Sequence, residues 1–223
     1  MIVIGLSGYK GSGKDTVADI LVRDYGFTKM SFAEPLKRML KALDPIVGYD
    51  HAAYYCDCDG CRTEVYPVTL GTMYDEWGLT TEEIKASEFG EEVRRLWERF
   101  GTEVMREEDP DYWVRKSAQA MAASDADRIV FTDVRFENEA DFIIGLDNHH
   151  SGYYESALWR VSRPGQEPGD HSSDQMAGLL GETVTVVNDG SLDDLSCTVD
   201  LAFSALTMEI PGQLAFDFGA TNE

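Results

Sequence analysis

The chain has 223 residues, 43% of them hydrophobic, which suits one α/β domain with an insertion, or at most two small domains, and excludes disorder for the bulk of it. Forty-one Asp and Glu against 19 Lys and Arg give a net charge of −22, so the average surface repels DNA, RNA and anionic lipid. A small anion remains an acceptable partner, because a few cations and backbone amides gathered in one cleft outweigh a distant acidic surface screened by salt. No apolar run approaches the roughly 20 residues that span a bilayer, and Met1-Ile2-Val3-Ile4-Gly5 lacks the basic start of a signal peptide. The expectation is a soluble, cytoplasmic protein that binds neither polymeric nucleic acid nor membrane.

The first apolar run, Ile2 to Leu6, ends in SGYKGSGKDT and leads into Val17, Ala18, Ile20, Leu21 and Val22, a helical pattern that stops near Gly26. A second β-like run, Phe27 to Phe32, precedes EPLKRMLKAL, where Leu36, Met39, Leu40 and Leu43 fall at helical spacing. Between residues 44 and 80 the pattern breaks up among scattered Gly, Pro, Tyr and Cys, so this segment reads as an insertion. Helical spacing returns in EEVRRLWERFGTEVM and in DYWVRKSAQAMAA, the second starting from Asp109-Pro110. RIVFTDV is continuous enough for a buried parallel strand. FENEADFIIGL follows as a helix, ALWRVSR and TVTVVND as strands, and LDDLSCTVDLAFSALTM as a closing amphipathic helix that takes Cys197 as a core thiol. The alternation predicts an α/β fold with a parallel sheet of about five strands and helices on both faces. The domain is expected to run over 1–208, with 209–223 as a tail.

Gly8 to Lys14 reads GYKGSGK, the spacing of a phosphate-binding P-loop, and it lies between a predicted strand and a predicted helix. Gly8, Gly11 and Gly13 permit torsions and close approaches that a Cβ would block, so successive amides, that of Ser12 among them, can converge on phosphate oxygens. The helix adds its positive end, and Lys14 can reach the β- and γ-phosphates. A tight βα turn without a ligand is the bland alternative. Asp15 stands where Ser or Thr usually supplies a hydroxyl to magnesium, with Thr16 next. Either Asp15 meets the metal, directly or through water, while Thr16 donates to a phosphate, or Asp15 is simply a first-turn acid favoured by the helix dipole.

With SGYKGSGKDT, SFAEPLK, RFGTEVMREEDPDYWV, TDVRFENEA and VVNDG in that order, the chain resembles the tailed-phage deoxynucleoside monophosphate kinase family from about residue 2 to 207, outside the insertion. The resemblance implies a P-loop kinase fold that transfers the γ-phosphate of ATP to a deoxynucleoside monophosphate with Mg2+. Asp133, ending an apolar strand, looks like a Walker B acid at the ligand crevice, and Arg135 like a bidentate clamp on the acceptor phosphate. A surface ion pair is the alternative for both. Arg160 and Arg163 open into RPGQEPGDHSSD, so 160–174 is a candidate lid and either arginine a candidate for neutralising transferred charge. Lys37 falls where the monophosphate-binding segment belongs, with Arg38, Arg99, Arg106 and Tyr112 on nearby helices, and Trp113 is a candidate for stacking on the base, or else a core residue. Rival readings are a kinase for another phosphorylated small molecule, of the animal phosphomevalonate kinase type, and a nucleotide-binding regulatory module. A homodimer is left open.

His51, Cys56, Cys58 and Cys61 put three thiols and an imidazole within reach of one ion, a candidate structural Zn2+ site whose alternative is three free reduced thiols. The tail peptide Gln213-Leu214-Ala215-Phe216-Asp217-Phe218 loosely resembles the short motifs that dock bacterial sliding clamps, against a tail that folds back on the body.

Overall fold

The computed structural model of the chain describes residues 1–53, 63–147, 154–167, 180–181 and 183–207, with side chains at 51–53, 63–64 and 147 excepted. Five strands form a parallel sheet: β1 (Ile2–Ser7), β2 (Thr28–Met30), β5 (Arg128–Phe131), β6 (Glu155–Ser162) and β7 (Val184–Val187), in the order β2-β5-β1-β6-β7. The helices are α1 (Lys14–Tyr25), α2 (Glu34–Leu43), α3 (Thr81–Ala86), α4 (Gly90–Glu98), α5 (Tyr112–Ala122), α6 (Glu137–Asp147) and α7 (Leu192–Thr207). This is the expected α/β architecture.

Strand periodicity divides the core in two. Ile4 and Leu6 of β1, Val130 of β5, and Ala157, Trp159 and Val161 of β6 pack with α1 and α7 on one face. Their alternates, Val3, Ile129, Phe131 and Leu158, pack with Met121 of α5 and Ala140, Ile143 and Leu146 of α6 on the other. Both faces of the sheet are covered, which is why these strands read as unbroken apolar runs. Gly5 permits this close packing, since a Cβ there would lie 3.0 Å from Val134 Cγ2 and 3.1 Å from Ile143 Cγ1.

The segment expected as a patternless insertion carries regular structure. Strands β3 (Ile46–Ala53) and β4 (Thr63–Thr69) pair antiparallel, followed by a π-helical turn, Thr72–Glu76. Val47, Val68, Leu70 and Met73 bury against Leu36, Leu40, Ile84, Val93, Trp97 and Trp113, a third apolar cluster built by α2–α5 and the hairpin. The Asp44 carboxylate, at the end of α2, accepts from Gly71 N at 2.6 Å and pins the far end of the hairpin. Of the candidate zinc ligands, Cys56, Cys58, Cys61 and the side chain of His51 lie outside the described residues, as do 213–218 and most of 160–174.

Two expectations are corrected. RFGTEVM does not continue α4 as an α-helix: Arg99–Arg106 is a π-helix, whose extra residue per turn presents Gly101 O to Trp113 Nε1 at 3.0 Å. Cys197 is exposed rather than a core thiol, because α7 buries Leu195, Val199, Ala202 and Phe203, and a residue two positions past Leu195 points about 200° away.

Candidate active site

The carboxyl ends of β1, β5, β6 and β7 meet at the point where the strand order reverses around β1, the usual crevice of open parallel sheets. Between Ser7 and Lys14 the chain turns through Gly8, Gly11 and Gly13 with φ of 134°, 79° and 104°. A Cβ on Gly8 would stand 2.2 Å from Val161 O, and one on Gly13 would stand 2.4 Å from Asn188 Nδ2. The loop is therefore pressed onto the ends of β6 and β7. Asn188 holds it there, its side-chain amide donating to Ser12 O at 2.9 Å and its backbone N–H donating to Ser162 O at 2.8 Å.

Lys14 begins α1, and its ammonium folds into the loop, donating to Gly8 O at 2.7 Å and Tyr9 O at 2.9 Å. Ser12 is buried, and its hydroxyl has no hydrogen-bond partner among the described residues. Asp15 is exposed in the first turn and Thr16 half-buried beside it. A cavity of about 430 Å³ opens here, lined among others by Gly11, Lys14, Thr16, Arg163, Asn188 and Ser191. The structure thus brings together Gly11, Gly13, Lys14, Asp15, Thr16 and Arg163. Arg160 sits apart, its guanidinium donating to Leu180 O at 2.5 Å.

On the other side of β1, Asp133, Asn138 and Glu139 of DVRFENEA each tie separate parts of the chain together. The Asp133 carboxylate accepts from Ser31 Oγ at 2.6 Å, Phe32 N at 2.8 Å and Ala33 N at 3.0 Å, so it fixes the chain where it enters α2. Arg135 follows, half-buried. Asn138 donates to Pro110 O at 2.8 Å and Asp111 Oδ1 at 2.9 Å, tying α6 to the start of α5. Glu139, 2% exposed, accepts from Arg135 N at 2.8 Å and Phe136 N at 3.2 Å through one oxygen and pairs with the Arg106 guanidinium through the other. Arg106 lies 3.9 Å over the Phe136 ring and borders a shallow cavity of about 410 Å³ with Thr102, Pro110 and Asn138.

Burial pushes the Glu139 carboxyl up to about 7, against the pull of Arg106 and the two amides, with the Asp133 charge adding to the rise. The folded protein therefore binds a proton that the unfolded chain, with Glu139 near 4.5, releases earlier. The associated stability is present in full below pH 4.5 and is lost as pH rises through 7. Between pH 5 and 8 the wild type should lose about 2–3 kcal/mol relative to Glu139→Gln, which cannot titrate. Urea unfolding of both proteins across that range measures it, and a constant difference would show that the carboxyl is already ionised at pH 5.

Trp113 is corrected from a base-stacking candidate to a core residue. It is 2% exposed, packed in the third cluster, and its indole N–H is spent on Gly101 O. Lys37 reaches over the Trp97 ring at 5.8 Å. Among the described residues no group of three or more His, Cys, Asp or Glu side chains is placed to hold a metal ion by themselves.

The residues that sequence reasoning did not single out are Asn188, Glu139 and Ser31. Asn188 had a signal, since it ends the TVTVV strand and strand ends at this edge face the crevice. So did Glu139, at four and seven residues before the core positions Ile143 and Leu146 of the same helix face.

Fold and loop together define a P-loop kinase-like α/β protein. The family model for deoxynucleotide monophosphate kinase matches residues 2–54, which carry β1, the glycine loop, α1 and α2. A homologue from Acanthamoeba polyphaga mimivirus, named for the same activity, is 29% identical over 215 residues, covering 87% of this chain and 92% of the other. The deoxynucleotide monophosphate kinase of Enterobacteria phage T4 is 24% identical over 242 residues, covering 87% of this chain and 95% of its own. These matches are what the chain is similar to, and they agree with the resemblance to deoxynucleotide monophosphate kinases. Among solved structures, TT1252 from Thermus thermophilus matches 93% of this chain and 98% of its own at 17% identity, with a TM-score of 0.40.

Proposed function

We propose that this protein transfers the γ-phosphate of ATP to the 5'-phosphate of a deoxynucleoside monophosphate, giving the diphosphate. The observation that carries the reading is the glycine loop of residues 8–13, folded onto β6 and β7 with Lys14 and the orphaned Ser12 hydroxyl at its centre. The names of the two relatives supply the acceptor.

Phosphoryl transfer asks chiefly for alignment of donor and acceptor and for neutralisation of the moving charge. Triphosphate oxygens replace the Gly8 and Tyr9 carbonyls as the partners of the Lys14 ammonium, and loop amides hold the remaining oxygens. Arg163, on the wall of the same cavity, adds positive charge at its mouth. The donor set fits Mg2+: Thr16 offers a hydroxyl, Asp15 a carboxylate, and Asp133 keeps about one of its four acceptor sites, enough for a metal-bound water. When bound, the ion neutralises charge on the β- and γ-phosphates. Arg135, two residues beyond Asp133 at the strand edge, clamps the acceptor phosphate and holds its attacking oxygen in line.

The test is ATP- and magnesium-dependent phosphorylation across deoxy- and ribonucleoside monophosphates plus phosphomevalonate, scoring the phosphorylated acceptor itself. A deoxynucleoside diphosphate product is expected. Product only from phosphomevalonate would change the substrate, and ADP without any acceptor product would favour a regulatory module. In the same assay Arg135→Ala is expected to lower kcat/KM for the acceptor by about 10²–10³-fold with ATP affinity within twofold, and wild-type rates would remove Arg135 from the mechanism.

A further inference from the structure

A carboxylate three residues into a helix commonly reaches back to cap the first turn, and Glu139 does this toward Phe136 N, since Phe136 O accepts from Glu139 N and Ala140 N. Capping alone leaves two facts unexplained. Capping glutamates sit at the surface, whereas Glu139 is almost wholly buried, and its second oxygen is taken by a guanidinium from a different part of the molecule. Arg106 comes from the end of the π-helix, in the helical cluster that packs with the β3–β4 hairpin, and its side chain is 13% exposed. A buried ion pair is a poor stabiliser, because two desolvation costs roughly cancel the attraction, so its use here points to geometry.

What it fixes is the chain at Arg135. Glu139 Oε2 takes the Arg135 N–H at 2.8 Å, Glu139 Oε1 is anchored by Arg106, Arg106 in turn lies flat on Phe136, and Asn138 locks the same turn onto Pro110 and Asp111. The direction in which Arg135 leaves the sheet edge is thereby set by the helical cluster on the far side of the cavity bordered by Thr102, Arg106 and Asn138. The π-helix serves this arrangement, since its wider turn changes the face on which Arg106 emerges.

We infer that Arg106 and Glu139 are a positioning pair that orients Arg135 toward the acceptor phosphate and couples the helical cluster to that step. The inference rests on the acceptor role given to Arg135 above. An error of about 1 Å in a group that aligns reactants can cost about 100-fold, so loss of the pair acts on the acceptor and spares the ATP side, which is built from the 8–13 loop and β7.

The experiment compares wild type, Arg106→Met, Arg106→Lys and Glu139→Gln by three readouts: thermal unfolding, ATP affinity by calorimetry, and steady-state kinetics with the acceptor. Amide exchange at Arg135 and Phe136 is followed alongside. Arg106→Met should unfold cooperatively and bind ATP within twofold of wild type, with acceptor kcat/KM lower by about 10–100-fold and the Arg135 amide exchanging at least tenfold faster. Arg106→Lys keeps the charge and should recover part of both. Equal losses toward ATP and acceptor, or unchanged acceptor kinetics in Arg106→Met, would overturn the inference. If Arg106→Met fails to fold, Arg106→Lys and Glu139→Gln decide by the same split. If the wild type phosphorylates no deoxynucleotide, the proposed reaction falls on that control, and exchange at Arg135 still decides the coupling, unchanged protection in the variants refuting it.

Discussion

Lys14→Ala should abolish acceptor phosphorylation, by about 10³-fold or more, while leaving the protein folded. The stability side follows from the partners of Lys14. Its ammonium donates to Gly8 O and Tyr9 O, so truncation releases these carbonyls at a cleft that water can enter. The cost is about 1 kcal/mol for such bonds, well within the margin of a domain this size. The catalytic side is far larger, because the charge is lost where negative charge accumulates in transfer, and among the described residues no other lysine lines the cavity. The measurement is single-turnover transfer from ATP, with urea unfolding as the control. Turnover within tenfold of wild type would mean that the ammonium is a loop strut and the phosphates lie elsewhere.

How much of this was legible in the sequence depended on whether the information was local. The glycine loop was legible because its needs are met within seven consecutive residues and flanked by unmistakable strand and helix periods. The sheet was legible for a related reason: with helices on both faces, β1, β5 and β6 carry apolar residues without alternation. The β3–β4 hairpin was not, since its core contribution is a few residues such as Val47 and Val68 among exposed Tyr49, Val65 and Tyr66. Trp113 shows the limit in the other direction. An aromatic at helical spacing reads equally as a core residue or a base platform, and only the position of Gly101 O, set by a π-turn that no propensity marks, decided it. Long-range pairings were beyond reach altogether. Asp133 reads as a free acid at a strand end, and nothing local says that Ser31, Phe32 and Ala33 fold back on it across about a hundred residues of chain.

Gly8→Ala is expected to be the most damaging single-methyl change in the protein, removing both stability and ATP binding. Two costs combine. Gly8 has φ of 134°, a region that residues with a Cβ rarely occupy, and the added carbon would lie 2.2 Å from the backbone oxygen of Val161 in the middle of the sheet's crevice edge. A side chain could swing away from such a contact. A backbone carbonyl of β6 cannot, so either the loop lifts or the strand end moves, and together strain and overpacking amount to about 3 kcal/mol or more. Gly26→Ala is the matched comparison, because Gly26 also has positive φ, at 70°, yet a Cβ there meets nothing within 4 Å. It caps α1 far from the crevice and should cost only about 1 kcal/mol with ATP binding intact. Urea unfolding and ATP calorimetry on the two variants separate backbone strain, which they share, from the collision with β6, which belongs to Gly8 alone. Equal stabilities would mean that the loop is not seated on Val161, and with that the preformed phosphate cradle on which the kinase reading depends would be lost.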